Sequence, residues 1–351
     1  MTTQDAHSTE LDIGDSTAFF AVFDGHGGKE VAMYAAKHLH LALKETEAYG
    51  KGDLARGLEE SFLALDRKML TKEAATELRA FRAGGEGGEN APDSISSAEE
   101  QRRQREEMNA TFHAALIEQV KGANPDIDEK DLTFDFELDE ADIATASSRV
   151  NDGDNSHWSG PQAGATSVVV CIRGDQVYCA NAGDSRAVFS RKDGQVVDMS
   201  EDHKPMNTDE RQRIIKAGGF VSEGRVNGSL ALSRALGDFD YKGNKELCEK
   251  EQAVTAFPEI REFQLQGGDE FMILACDGIW DVLTSEQCVA FVRERLREGL
   301  QKGESETFKL SQICEELCDK CLAPDTRGTG LGCDNMSVVI VLLKKFCSFA
   351  A

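Results

Sequence analysis

Residues 18–28 read AFFAVFDGHGG. The first six, residues 18–23, are an apolar run of strand length, and Asp24 follows the run directly. After the glycines, apolar side chains recur at helical spacing from Val31 to Ala42. The segment therefore predicts a buried strand, a sharp turn that carries a carboxylate, and an amphipathic helix.

The same arrangement of apolar strand, Asp and Gly occurs again at residues 271–278, where Asp277 follows the run. A third aspartate, Asp184, lies between two predicted strands, and a fourth, Asp334, is followed by Asn335 and then by the apolar run 336–343. Any one Asp-Gly pair is most simply a turn. The ordered set predicts that all four carboxylates meet at one rim of the fold.

Carboxylates gathered at one rim repel one another unless a cation compensates them. Ligation by oxygen alone favours Mg²⁺ or Mn²⁺ over zinc or copper. Two such ions about 3.5–4 Å apart can activate a water molecule for attack on phosphorus. His26, two residues after Asp24, has a side chain that titrates near neutrality and is a candidate general acid. This chemistry is typical of a metal-dependent hydrolase.

A series of segments, taken in order, resembles the signatures of type-2C (PPM) metal-dependent protein serine/threonine phosphatases. The segments are FDGHGG (23–28), GAT (164–166), ANAGDSR (180–186), DHKP (202–205), GRVNGSLALSRALGD (224–238), PEI (258–260), ACDGIWD (275–281) and DN (334–335). The resemblance implies hydrolysis of phosphoserine and phosphothreonine in proteins. It also implies a four-layer αββα fold with two Mg²⁺ or Mn²⁺ ions at one edge.

The resemblance assigns a role to each site residue. Asp24 would bridge both ions and Gly25 would add its backbone carbonyl, while His26 would be the general acid. It also implies that Asp277 and Asp334 complete the shell of one ion, with Asp5 as a further metal ligand. A weaker third ion would be held by Asp184, Asp277 and Asp281.

The N-terminus departs from the family pattern, which has an Arg, three residues and then Glu-Asp. Here the match is Gln4-Asp5, and the Arg would fall just before Met1. Loss of that Arg would weaken phosphate binding, and the first family strand is expected to be missing. The alternative function is therefore a catalytically weak pseudophosphatase that acts as a phosphoprotein-binding scaffold.

Dense hairpin signals after residue 160, with helices that interrupt the strands, predict an α+β fold. In it, helix pairs flank an antiparallel β-sandwich. We expect a single phosphatase domain over 1–351, a partly disordered insertion at 71–160 and a flap-like segment at 199–243. Two capping patterns, Asn207 with Glu210 and Thr284 with Gln287, predict helix starts.

Composition narrows the function further. The formal charge of −24 argues against nucleic-acid binding. The apolar runs are too short to cross a membrane, and the N-terminus lacks the features of a secretion signal. A cytoplasmic or nuclear location follows by default. We expect phosphoprotein substrates, no nucleic-acid or membrane partner, and a monomer.

Overall fold

The computed structural model describes residues 4–84, 158–301, 309–325 and 330–343. Its α-helices are α1 (Glu30–Glu45), α2 (Glu47–Gly50), α3 (Leu54–Met69), α4 (Lys72–Ala83), α5 (Thr208–Lys216), α6 (Asp277–Trp280), α7 (Ser285–Gln301) and α8 (Leu310–Cys321). Its strands are β1 (Ala6–Glu10), β2 (Thr17–Phe23), β3 (Gly25–His26), β4 (Gly164–Ala165), β5 (Ser167–Arg173), β6 (Gln176–Ala182), β7 (Arg186–Ser190), β8 (Val196–Asp198), β9 (Val221–Ser222), β10 (Arg225–Val226), β11 (Leu236–Gly237), β12 (Glu259–Gln264), β13 (Phe271–Ala275) and β14 (Val338–Leu342).

Two larger sheets form the centre of the fold. The first sheet has the strand order β1-β2-β5-β6-β12, and the second has the order β14-β13-β7-β8. Neighbouring strands are antiparallel throughout both sheets. The predicted hairpins β5–β6 and β7–β8 are confirmed.

Strand β2 shows how the sequence builds the layers. Phe20 and Val22 pack in the core between the two sheets, whereas Phe19 and Phe23 pack on the opposite face. Alternate side chains of a strand point to opposite faces, so a strand covered on both sides must be apolar throughout. Burial of each such phenylalanine contributes about 1.5–3 kcal/mol.

Helices cover the outer faces of both sheets. The buried side chains of α1, α3 and α4 join those of β2, β5 and β6 in one core cluster. Those of α6, α7 and α8 join β13 and β14 in another. The resulting order of helices, sheet, sheet and helices confirms the predicted α+β, four-layer αββα fold.

The first part of the predicted insertion at 71–160 is helical. Residues 72–83 form helix α4, whose Ala74, Ala75 and Leu78 are buried. Thr71 caps this helix by accepting a hydrogen bond from the Ala74 amide at 3.3 Å. Its polar composition hid the narrow apolar stripe. Residues 85–157 of the insertion lie outside the described residues, and so does its predicted disorder.

Both predicted helix starts are confirmed, since α5 begins after Asn207 and α7 begins after Thr284. The Thr284 amide donates to Gln287 Oε1 at 3.0 Å, and the Gln287 amide donates to Thr284 Oγ1 at 3.2 Å. At the start of α5, the side chain of Asn207 makes no capping hydrogen bond. Glu210 is buried and accepts hydrogen bonds from Ser233 and Arg234 instead.

Strand β1 was not predicted. It pairs with β2 in the register Ala6↔Phe23 to Glu10↔Phe19 and forms one edge of the first sheet. The missing family strand, the single domain and the flap-like segment stay predictions. None of the described helices is both long enough and apolar enough to span a membrane.

Candidate metal centre and active site

Strand register brings the predicted aspartates to one rim. In the first sheet, the ends of β2 and β6 lie together because both pair with the start of β5. Asp24 and Asp184 follow those ends. In the second sheet, Ala275 at the end of β13 pairs with Val338 at the start of β14. Asp277 and Asp334 therefore flank one end of that sheet, as the sequence predicted.

The carboxylate of Asp24 lies at the centre of this group. Burial, together with the charges of its acidic neighbours, raises the pKa of Asp24 to about 10. The acidic neighbours that act on it are Asp5, Asp277, Asp184 and Asp334. In the same way, burial and the charges of Asp184, Asp281 and Asp334 raise the pKa of Asp277 to about 7. All of the predicted metal-ligating aspartates therefore lie in one electrostatic cluster.

Residues 4 and 5 belong to the site. The Gln4 amide donates to Asn335 Oδ1 at 2.9 Å, and the thiol of Cys276 donates to Asp5 Oδ2 at 3.5 Å. A Cβ atom at position 25 would collide with the Gln4 carbonyl oxygen. Glycine is required there because the N-terminal segment approaches so closely.

Several buried oxygens in the cluster suit a hard cation. Asp184 Oδ1, Asp277 Oδ1 and Gln4 Oε1 are buried and have no hydrogen-bond partner among the described residues. A buried polar atom without a partner costs about 1–3 kcal/mol, and more if it is charged. Oxygens of this kind are the ligands that Mg²⁺ and Mn²⁺ take. The oxygens of these residues therefore suit the Mg²⁺ or Mn²⁺ ions that the sequence implied.

The cluster is not closed around a single point. Within the described ranges, no three His, Cys, Asp or Glu side chains are arranged to hold one ion as they stand. Asp281 and Asp334 are exposed, and Asp334 Oδ1 accepts a hydrogen bond from the Asn335 amide at 2.7 Å.

His26 lies beside the cluster on β3, and its ring bonds to a residue that sequence analysis passed over. Its Nε2 atom lies 2.7 Å from Oδ2 of Asp238, and the side chain of Asp238 is 5% exposed. Burial alone would lower the pKa of His26, but this hydrogen bond and the charge of Asp238 raise it. Asp238 lies in the GRVNGSLALSRALGD segment, in which the sequence predicted no site residue.

Lys204 is a second residue that the sequence did not single out. Its ammonium group donates a hydrogen bond to Asp184 Oδ2. Burial alone would lower the pKa of Lys204, whereas the charges of Asp184, Asp202 and Asp277 raise it. The only signal in the sequence was its position in the DHKP segment.

Comparison with known proteins decides the family. The family model described as "Protein phosphatase 2C" matches residues 1–88 and 74–330. The chain belongs to the protein phosphatase 2C family. Among its relatives, "Probable protein phosphatase 2C 58" of Oryza sativa subsp. japonica is 40% identical over 344 residues. That alignment covers 98% of this chain and 81% of the rice protein.

More distant relatives agree. Protein phosphatase 1G of Mus musculus is 31% identical, with 97% of this chain and 86% of the mouse protein covered. A crystal structure of a phosphatase from Toxoplasma gondii superposes with a TM-score of 0.60 at 22% identity, covering 98% of this chain and 89% of that one. This likeness confirms the fold. The chain is accordingly a protein serine/threonine phosphatase of the 2C family, whose members are generally metal-dependent.

Proposed function

We propose that this 2C phosphatase hydrolyses phosphoserine and phosphothreonine in proteins with two Mg²⁺ or Mn²⁺ ions held at the aspartate cluster. Asp24, the Gly25 carbonyl, Asp277, Asp334 and Asp5 would hold them. The observation that carries the proposal is the buried, partnerless oxygens of Asp184 and Asp277 beside a carboxylate whose pKa is about 10. Such a group is stable in ionised form only when a cation compensates it.

The ions would lower the pKa of a water molecule and neutralise charge on the phosphoryl group. The protein itself positions the metal-binding side chains. Asp24 is fixed because the Thr166 amide donates to its backbone carbonyl at 2.9 Å. Its central position among the other carboxylates suits a ligand shared by both ions. Asp184, Asp277 and Asp281 would hold a weaker third ion.

His26 would act as the general acid. When the bond between phosphorus and the seryl or threonyl oxygen breaks, that oxygen must gain a proton, and His26 would give it. The ring is 28% exposed, so a substrate can reach it. The raised pKa of His26 keeps the ring protonated closer to neutral pH, as a general acid requires. The proton is then restored from solvent.

Phosphate release from a phosphothreonine peptide tests the proposal. With Mn²⁺ we expect turnover that a chelator abolishes and that Asp277→Asn lowers by at least about 100-fold, because one of the ions loses its ligand. Asp12→Asn, an exposed aspartate in the turn before β2, is the control and should retain full activity. Turnover that persists in chelator would overturn the proposal. Binding of Mn²⁺ and peptide without phosphate release would favour the scaffold alternative.

A further inference from the structure

The bond between His26 and Asp238 is built by a small three-stranded sheet. Its strand order is β11-β4-β3, and the central strand β4 contains Gly164. The register pairs Gly164 with His26 on one side and with Gly237 on the other. Asp238 follows Gly237 directly. Two segments more than 200 residues apart in the sequence therefore meet across one glycine.

Gly164 leaves the space in which the two side chains meet. A Cβ atom at this position would collide with Oδ2 of Asp238 and would lie 2.5 Å from Nε2 of His26. A side chain here would enter the line of the hydrogen bond. The glycine of the GAT segment is thus required by the His26–Asp238 contact itself.

The backbone of Asp238 is also held in place. Its backbone is left-handed, with φ 51°, and its amide donates to the Ala163 carbonyl at 3.2 Å. A non-glycine residue keeps this backbone conformation only where surrounding contacts impose it. The carboxylate therefore has little freedom to leave the ring of His26.

Helix α3 anchors the segment that carries Asp238. Asp66 of this helix accepts hydrogen bonds from the Gly237 amide at 2.8 Å and from Lys242 Nζ at 2.8 and 3.0 Å. Lys242 Nζ also donates to the Ala235 carbonyl at 2.9 Å. Contacts on both sides of Asp238 thus tie residues 235–242 to the helical layer.

We propose that Asp238 is a positioning residue that fixes the ring of His26 for proton donation. By accepting the hydrogen bond from Nε2, it leaves Nδ1 as the nitrogen that can give a proton to the leaving oxygen. Within the described part of the chain no residue bonds to Nδ1. The inference rests on the proposed role of His26, and the experiment below separates the two.

The test compares two substrates that differ in their need for an acid. A phosphothreonine peptide releases a poor, strongly basic alkoxide, whereas p-nitrophenyl phosphate releases a stable phenolate. Loss of a general acid costs about 10²- to 10⁴-fold. We therefore expect His26→Gln to lower kcat by at least 100-fold on the peptide and by less than about threefold on the aryl ester, with KM unchanged.

Asp238→Ala should show the same selectivity, with a loss of about 10- to 100-fold in kcat on the peptide alone, because a misplaced ring costs up to this amount. Asp238→Asn should recover most of that loss, since its amide oxygen can accept the same hydrogen bond. In the double variant with His26→Gln, Asp238→Ala should add nothing further. Gly164→Ala should reproduce the loss although neither His26 nor Asp238 is substituted, because its Cβ atom would push the two side chains apart.

Asp240→Ala, an exposed aspartate two residues along the same segment, is the matched control and should retain wild-type kcat on both substrates. Equal losses on both substrates in Asp238→Asn, or a loss from Asp238→Ala that persists without His26, would overturn the positioning role while leaving the acid role intact. A His26→Gln variant that is equally active on both substrates, or equally impaired, would overturn the acid role itself. Mn²⁺ affinity, measured by calorimetry on each variant, shows whether the metal site has been disturbed.

Discussion

Lys204 donates a hydrogen bond from its ammonium group to Oδ2 of Asp184. Only 3% of the Asp184 side chain is exposed, whereas Lys204 reaches it from a side chain that is 41% exposed. Asp184 is one of the proposed ligands of the weaker third ion. Under that proposal, the ammonium group of Lys204 and a metal ion would compete for the same carboxylate.

Replacing Lys204 should strengthen metal binding. We expect Lys204→Met to lower the dissociation constant of the weakest Mn²⁺ ion by about tenfold at low salt, because removal of one nearby positive charge is worth about 1.4 kcal/mol or more. The gain should shrink as salt is added. Calorimetric titration with Mn²⁺ measures both effects.

The matched control is Lys216→Met. Lys216 lies at the end of α5 and forms an exposed ion pair with Glu251, which this substitution removes. That variant should bind Mn²⁺ as the wild type does. If Lys204→Met also binds every ion with unchanged affinity, the competition for Asp184 does not exist.

His203 should make the fold sensitive to acid. Burial, and then the charge of Arg234, lower the pKa of His203 to about 3. As the pH falls below about 6.5, the unfolded chain gains a proton that the folded one resists, so stability falls with decreasing pH. By pH 5, protonation of this one group in the unfolded chain should lower the free energy of unfolding by about 2 kcal/mol.

Denaturant unfolding at pH 7.5 and pH 5, with chelator present throughout, measures this loss. His203→Gln should reduce the difference between the two pH values by about 2 kcal/mol. His7→Gln, on the exposed face of β1, should show the wild-type difference. A His203→Gln variant with the full wild-type acid sensitivity would contradict the prediction.

Glu210 should contribute strongly to stability. Arg213 Nη1 and Arg234 Nη2 lie 2.8 and 2.7 Å from its carboxylate, and Ser233 Oγ donates to it at 2.6 Å. Burial alone would raise the pKa of Glu210, but the two arginines lower it to about 2. Loss of its charge would leave both arginines uncompensated.

We therefore expect Glu210→Gln to lower the free energy of unfolding by about 3 kcal/mol. Asp209→Asn, an exposed neighbour on the same helix, should change it by less than about 0.5 kcal/mol. Denaturant titration at pH 7.5 gives both values. Equal stability of the two variants would show that the buried cluster contributes little.

The layered fold and the aspartate rim could be predicted because short, contiguous segments of the sequence carry the pattern for each. Apolar runs that end in Asp24 and Asp277 indicate a strand and its functional end together. The positions of Asp238 and Lys204 could not be predicted in this way. Each reaches its partner through pairing between distant segments, and a turn residue at position 238 has the same local signature with or without His26 opposite.

Two other features could not be predicted for similar reasons. Helix α4 has a strongly charged sequence. Its narrow apolar stripe stabilises the helix only because the stripe packs against α1. The Asn207–Glu210 pattern matches a capping box, yet tertiary contacts with Arg234 and Ser233 draw Glu210 away from the helix start. In both cases long-range packing outweighs a local pattern.

Titration of the metal-free protein with Mn²⁺ tests most directly whether Asp24 is the shared ligand of two ions. We expect the wild type to bind two Mn²⁺ ions tightly and a third more weakly. Asp24→Asn should no longer bind the first two ions tightly. Asp175→Asn, in the exposed turn between β5 and β6, should bind as the wild type does. Binding by Asp24→Asn with wild-type stoichiometry and affinity would contradict the proposed metal centre.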